Sequence, residues 1–454
     1  MNYESEYAAA MREMFNKALG AVDARAAVRQ AVDLEGSRLK ICDRVFDVAT
    51  RKVYGIAVGK AAAAMAVGLD EVIGERIVQG VISAPLKRES PIPTKEDSAL
   101  SHWKCFASGH PLPDQNSLEA AQAAFNLLQR ADEERALVIF LISGGGSANI
   151  EWPRDEGITL EDLREANRQL VLCGASINEV NTVRRAFSAV KGGKLAARAA
   201  RADQITLIVS DTNPGDEASV ASGPTMLPQT DGPTATAVVK HYGVDSSLPA
   251  SIRRALSQPE NTGLGAGREG HASYHVLLNN HNALEAAAQS ARQFCSVVAI
   301  AADICEQPIA HGCDLLITRL IELFAQSNQQ RCACLISGGE FACPVKGPGI
   351  GGRNLETVLR CAIELDTRSL PWGHAVILSA GTDGIDGNSP AAGAIADHTT
   401  ISRGNCLHLN ASSFLERSDA FTFFKQINDL ITTGPTGTNV RDIRILLAQG
   451  VPKN

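Results

Sequence analysis

One local pattern constrains the fold of this chain more than any other: a short apolar run, then a glycine or acidic turn, then a helical stretch. Val53 to Val58 (VYGIAV) is followed by Gly59-Lys60 and by the alanine-rich stretch Ala61 to Ile73. Leu137 to Ile142 (LVIFLI) ends in Ser143-Gly144-Gly145-Gly146-Ser147. Ile205 to Val209 (ITLIV) ends in Ser210-Asp211-Thr212-Asn213-Pro214-Gly215-Asp216. Helical stretches lie between, among them Leu160 to Leu172, which Thr159 can cap, and Asn181 to Val190. Such runs suit strands buried on both faces. Alternating with helices, they predict an α/β fold of mostly parallel sheets flanked by helices.

A single core rarely serves 454 residues, so two domains are expected. Residues 1–242 read as a Rossmann-like α/β domain and 243–270 as a linker, because the polar stretch Gln258 to Gly270 is rich in glycine. The alternation restarts over 271–454, the second α/β domain, with a return of the chain's end to the first domain left open. There His275 to Leu278 reads as a strand, Asn282 as a helix cap and Ala283 to Phe294 as a helix. Val297 to Ala301 is a further strand and Pro308 to Ala325 a further helix. Cys332 to Ile336 enters Ser337-Gly338-Gly339-Glu340, and Ala375 to Leu378 enters a turn holding Asp383, Asp386 and Asn388. LISGGGSA at Leu141 to Ala148 is echoed by LISGGEFA at Leu335 to Ala342, which supports similar topologies without demonstrating a duplication.

Hydrophobic residues at 44% and charged residues at 20% are the balance of a globular protein, not a disordered one. A net charge of −7 argues against nucleic acid or an anionic membrane as a partner, while a small anion can still be met by locally gathered cations. The 11 cysteines show neither a disulfide framework nor zinc spacing, and Cys332 and Cys334 read as small apolar strand residues. No signal-peptide pattern and no apolar run of ~20 residues stands out, so a cytoplasmic protein is expected. Monomer and homodimer both remain open.

In open α/β sheets, ligands bind outside the carboxyl ends of strands, and several chemically suggestive turns fall there. The Ser143 to Ser147 turn exposes backbone N–H groups to an anion, with Gly144, Gly145 and Gly146 removing side-chain obstruction. Lys60 stands where a helix begins, which already favours anions; it is either an anion ligand or a surface lysine. The segment is no Walker loop, being one residue short and carrying Ala61 in place of Ser or Thr. Arg353 follows the glycine-rich Lys346 to Gly352 at an expected helix start, where it can clamp phosphate or carboxylate. Asp211 with Asn213 and Asp216, and Asp383 with Asp386 and Asn388, are candidates for holding magnesium or accepting a hydroxyl proton, or are plain turn formers. His110 and Asp114 form no recognisable triad.

Taken in order, these segments resemble the glycerate 2-kinase family, whose C-terminal half is called the MOFRL domain. The resemblance rests on GIAVGKAAAAMA (Gly55 to Ala66), SGHPLPD (Ser108 to Asp114), ISGGGSA (Ile142 to Ala148) and NEVNTVRRAFSAVKGGKLA (Asn178 to Ala196). It continues through VSDTNPGDEASVASGPT (Val209 to Thr225), SGGE (Ser337 to Glu340), GIGGRNLE (Gly349 to Glu356) and SAGTDGIDGNSPAAGA (Ser379 to Ala394). It implies ATP- and magnesium-dependent phosphorylation of D-glycerate to 2-phosphoglycerate in an interdomain cleft, with Lys60 and Arg353 as catalytic residues. In that setting Asp211 joins the catalytic set. Ser143 to Ser147, Asn213, Asn354 and Glu356 fall to substrate or phosphate, and Asp216, Asp383 and Asp386 to magnesium. Two other readings stay open: an NAD(P)H-dependent hydroxypyruvate reductase, which lacks a dinucleotide fingerprint here, and a non-catalytic sensor of a small phosphorylated acid.

Overall fold

The computed structural model describes residues 3–85, 100–227, 232–258, 268–327, 332–368 and 372–450. It divides into two compact units, Ala24–Leu278 and a second formed by Met1–Asp23 with Asn279–Asn454.

The unit Ala24–Leu278 is built on six strands: β1 Val53–Val58, β2 Ile77–Pro85, β3 Trp103–Ser108, β4 Leu137–Ser143, β5 Asp203–Val209 and β6 Ala272–Leu278. Their spatial order is β3-β2-β1-β4-β5-β6, and every pairing is parallel. This is the Rossmann order, with its reversal between β1 and β4. Both of those strands are buried at every residue, as expected for a sheet covered on both faces. A three-stranded antiparallel meander over Val32–Glu35, Arg38–Ile41 and Arg44–Asp47 precedes the sheet.

Helix Leu160–Leu172 is capped by Thr159 as expected, in a reciprocal box with Asp162. Asp114 likewise caps Gln115–Glu133 through Ser117, which gives that residue a structural role. The expected linker differs from the finding. Helix Ala250–Ser257 buries Ile252 and Ala255 in one cluster with Leu163, Val183 and Val239, and β6 pairs with β5. Those apolar contacts keep most of 243–278 inside this unit; of the glycine-rich stretch, 259–267 lie outside the described residues.

In the second unit the strands are β7 Val297–Ile300, β8 Cys332–Gly339, β9 His374–Gly381, β10 Gly393–Asp397, β11 Leu430–Ile431 and β12 Asp442–Gln449. The order is β7-β8-β12-β9-β10-β11. Only β7 and β8 run parallel, so this sheet is mixed rather than mostly parallel. The cause is β12, which inserts antiparallel to both β8 and β9 and closes the centre of this unit's own sheet. Strand β12 thus belongs to the second unit's own sheet, and helix Tyr3–Ala21 joins that unit. Helix Tyr3–Ala21 buries Met11, Met14 and Phe15 and packs on helix Asn280–Ala291. That second helix is capped by Asn279, with Asn282 as the reciprocal partner rather than the cap itself.

The expectation of no disulfide is also corrected: Cys295 and Cys332 are joined. They lie just before β7 and at the start of β8, where Ser296 N–H donates to Cys332 C=O at 3.0 Å. Parallel pairing brings the two thiols together across 37 residues, which no spacing rule would reveal.

Candidate active site

At the β1/β4 reversal the two strand ends are tied by backbone. Lys60 N–H donates to Gly144 C=O at 2.9 Å, and Ala61 N–H donates to the Ser143 hydroxyl at 3.0 Å. Ser143 is fully buried and also donates to Val58 C=O. It therefore braces the turn and is not placed to meet a ligand, contrary to its expected part in anion binding. A β-carbon added to Gly144 would lie 1.9 Å from Asp211 Oδ2, so only glycine allows that carboxylate to approach the turn. Gly145 has φ +79° and lies against the Lys60 side chain and His110: an added β-carbon would be 3.0 Å from Lys60 Cγ and 3.3 Å from His110 Nε2. The structure thus gathers Lys60, Gly144, Gly145, His110 and Asp211 at one sheet end. Asn213 and Asp216 continue the same turn, half-buried, with Asp216 N–H donating to Asn213 C=O.

Behind the turn runs a buried polar network that the sequence reading missed. The Lys191 ammonium, 1% exposed, pairs with Glu151 and donates to Ser147 C=O at 2.8 Å. Ser188 donates to the other Glu151 oxygen at 2.5 Å. The Ser147 hydroxyl bonds Ser222 at 2.6 Å, which donates to Asn181 Oδ1, and the buried Arg184 reaches both Asn181 and Asn167. Ala221 and Ser222 hold φ of 53° and 61°, uncommon values for residues with a β-carbon. Burial pushes the Lys191 ammonium down and Glu151 opposes that. Two charges this deep are costly unless they serve one another. Here they hold the Ser147 end of the turn in place.

In the second unit the helix Arg353–Thr367 starts where expected, with Arg353 its first residue and Gly352 the N-cap. Arg353 is bound by two carboxylates: Nε to Asp442 Oδ2 at 2.5 Å, Nη2 to Asp442 Oδ1 at 3.2 Å and Nη2 to Glu340 Oε1 at 2.6 Å. Burial alone would lower its pKa, but Asp442 and Glu340 outweigh burial and raise it, so the cation is permanent. Asn354 is buried and spent on structure, donating to Asp386 and Asp442 and accepting from Ser379.

Asp386, expected to hold magnesium, is instead buried and caps this helix, accepting from Asn354 N–H at 3.1 Å and Leu355 N–H at 2.8 Å. Burial pushes its carboxyl up to about 7. Both of its oxygens are engaged by N–H groups of the helix start. Asp383 is half-buried near Asp442 and folds its own turn by accepting from Ile385 N–H. Among the described residues no three of His, Cys, Asp and Glu stand close enough to cage a metal. Glu356 lines a cavity of about 420 Å³ together with Arg353.

A Rossmann-ordered sheet with a lysine and a carboxylate on its glycine turn, and a separate mixed sheet with a fixed arginine at a helix start, define an α/β protein equipped for anionic small molecules. Comparison with known proteins makes this particular. A family model described as a domain of unknown function (DUF4147) matches residues 10–257, and the MOFRL family model matches 333–442. The glycerate kinase of Rattus norvegicus is 32% identical, over 96% of this chain and 92% of the relative. The D-glycerate 2-kinase of Thermotoga maritima is 34% identical, over 87% and 90%. The crystal structure of glycerate kinase from Thermotoga maritima superposes with a TM-score of 0.77 at 29% identity, covering 98% of this chain and 100% of that one. The chain belongs to the glycerate kinase family.

Proposed function

We propose that this protein transfers the γ-phosphoryl group of ATP to the 2-hydroxyl of D-glycerate, giving 2-phosphoglycerate and ADP. The observation that carries the reading is the convergence of Lys60, Asp211 and the Gly144–Gly145 backbone at one sheet end, in a chain whose relatives are named glycerate kinases.

Phosphoryl transfer demands in-line positioning and neutralisation of the charge on the moving group. The 2-hydroxyl oxygen forms a bond to the γ-phosphorus while the bond from that phosphorus to the β,γ-bridging oxygen breaks, and ADP leaves with the electron pair. Asp211 is assigned the hydroxyl proton, and Lys60 and Arg353 are each assigned as catalytic cations that offset phosphate charge. The Gly144 to Ser147 turn offers backbone N–H groups to an anionic substrate group, with Asn213 beside it. Magnesium suits hard carboxylate oxygens, for which Asp216 on the Asp211 turn and Asp383 in the second unit are separate candidates, since it is commonly held by one or two carboxylates plus substrate phosphates. When bound, it would neutralise phosphate charge.

The test is a coupled ADP-release assay with D-glycerate, and phosphorus NMR of the product to distinguish the 2- from the 3-phosphate. A parallel assay following NADH with hydroxypyruvate must stay flat. Absence of glycerate-dependent ADP release, or NADH consumption instead, overturns the reading.

A further inference from the structure

We infer that the cavity beside Arg353 is the subsite for the nucleoside half of the nucleotide, with Glu356 accepting the ribose hydroxyls. This rests on the kinase reading and assigns one substrate within it.

The cavity measures about 420 Å³ and lies wholly within the second unit. Ligand pockets for molecules of nucleoside size run from roughly 300 to 1,000 Å³, whereas a three-carbon acid would leave most of this space empty. Its chemistry is graded. Phe341, Val345 and Ala420 supply apolar wall, suited to the face of a base, and Arg353 lies at the charged end. Arg353 and Glu356 are first and fourth residues of one helix, so their side chains share a face about one turn apart. A ribose at Glu356 therefore directs the attached phosphates toward the Arg353 guanidinium one turn away. Asp442 and Glu340 engage Nε and Nη2 of that arginine, and Nη1 carries no protein hydrogen bond among the described residues.

Glu356 is the second observation. Its side chain is 5% exposed, and Arg360 takes Oε1 with two N–H bonds of 2.9 and 2.6 Å. The other oxygen receives only the Cys343 thiol, at 3.4 Å. Burial and the neighbouring Glu356 push that thiol up to about 12, so it stays protonated and a weak donor. A buried carboxylate oxygen served by one weak donor, on the wall of a cavity, is poised for stronger ones, and a ribose diol supplies two. Asn388 and Ser418 also line the space but are occupied in pinning the glycine loop: Asn388 bonds Gly351 N–H and Gly349 C=O, and Ser418 accepts from Lys346 N–H. Glu356 is left as the cavity's specificity-determining carboxylate.

The test measures binding of ADP and of its 2′,3′-dideoxy analogue to the full-length protein by calorimetry, alongside KM for ATP and for glycerate. The native protein should prefer ADP by about tenfold or more, and Glu356→Gln should abolish that preference. Val345→Trp, at a position 83% exposed and so harmless to folding, should raise KM for ATP severalfold and leave KM for glycerate unchanged. Equal binding of both nucleotides by the native protein overturns the inference. So does a rise in KM confined to glycerate. Nucleotide binding with this pattern but no phosphorylation of glycerate would keep the subsite and refute the acceptor, so the two failures are distinguishable.

Discussion

Asp442, 1% exposed, grips Arg353 through both carboxylate oxygens, and Asn354 donates to that same carboxylate at 2.9 Å. An arginine held this way cannot wander between rotamers, so its remaining donors are aimed before any ligand arrives. Arg353→Ala should lower kcat by on the order of 10³ with the fold intact. Asp442→Asn keeps the shape and loses the grip, and is expected to lower kcat about ten- to a hundredfold. Steady-state kinetics beside circular dichroism check both; near-native kcat in both variants would refute the role of Arg353.

On the glycine turn, the same logic singles out Gly144. An alanine there drives a β-carbon into Asp211 Oδ2 and must displace the carboxylate. Gly144→Ala should therefore reduce kcat about a hundredfold and shift the magnesium titration in the same direction as Asp211→Asn. Lys60→Ala should lower kcat by on the order of 10³ without that shift. An unchanged magnesium titration in Asp211→Asn would remove Asp211 from the metal-linked chemistry.

Lys191→Met tests the buried pair. It leaves Glu151 charged in the interior without its cation, at an expected loss of about 3–5 kcal/mol. The double variant Lys191→Met with Glu151→Leu removes both charges and should regain most of that loss while still lowering kcat, because Ser147 has lost its brace. Urea denaturation with parallel kinetics separates the two effects. Full recovery of kcat in the double variant would show that the pair supports folding alone.

Asp386 gives a pH signature. Its folded-state pKa, about 7, lies above the ordinary 3.8, so between roughly pH 4 and 7 the folded protein binds the extra proton. Its contribution is then fully present below the unfolded value and is lost as pH rises toward 7. As pH rises from about 5 to 7.5, native protein should lose stability relative to Asp386→Asn, whose amide does not titrate. Thermal unfolding across that range measures it; a constant gap would mean the carboxyl is not raised.

The strand-and-turn pattern made the first sheet legible because β1, β4 and the Ile205–Val209 part of β5 are mostly apolar and each ends in a marked turn. β2 and β3 escaped notice: IVQGVISAP and WKCFAS mix polar residues into short runs. In the second unit β12 was invisible for a different reason. DIRILLAQ carries Arg444, fully buried with its guanidinium 3.7 Å over the Phe341 ring, and its place between β8 and β9 depends on long-range pairing. Residue type announced the ligand-facing candidates Lys60, Arg353 and Asp211. It could not separate them from Ser143, Asn354 and Asp386, which hold the backbone, because that distinction depends on which way a side chain turns. Asp442 and Lys191 sit in sequence beside ordinary neighbours and acquire meaning only from their partners.

The placement of helix Tyr3–Ala21 carries a consequence for biosynthesis. This helix leaves the ribosome ahead of the unit Ala24–Leu278, yet the helix it covers, Asn280–Ala291, is made only after that whole unit. Met11, Met14 and Phe15 must therefore wait through that interval without their final cover. In the meantime the intervening unit can fold as a self-contained insertion, drawing the two ends of its host toward each other and shortening the search that completes the second unit.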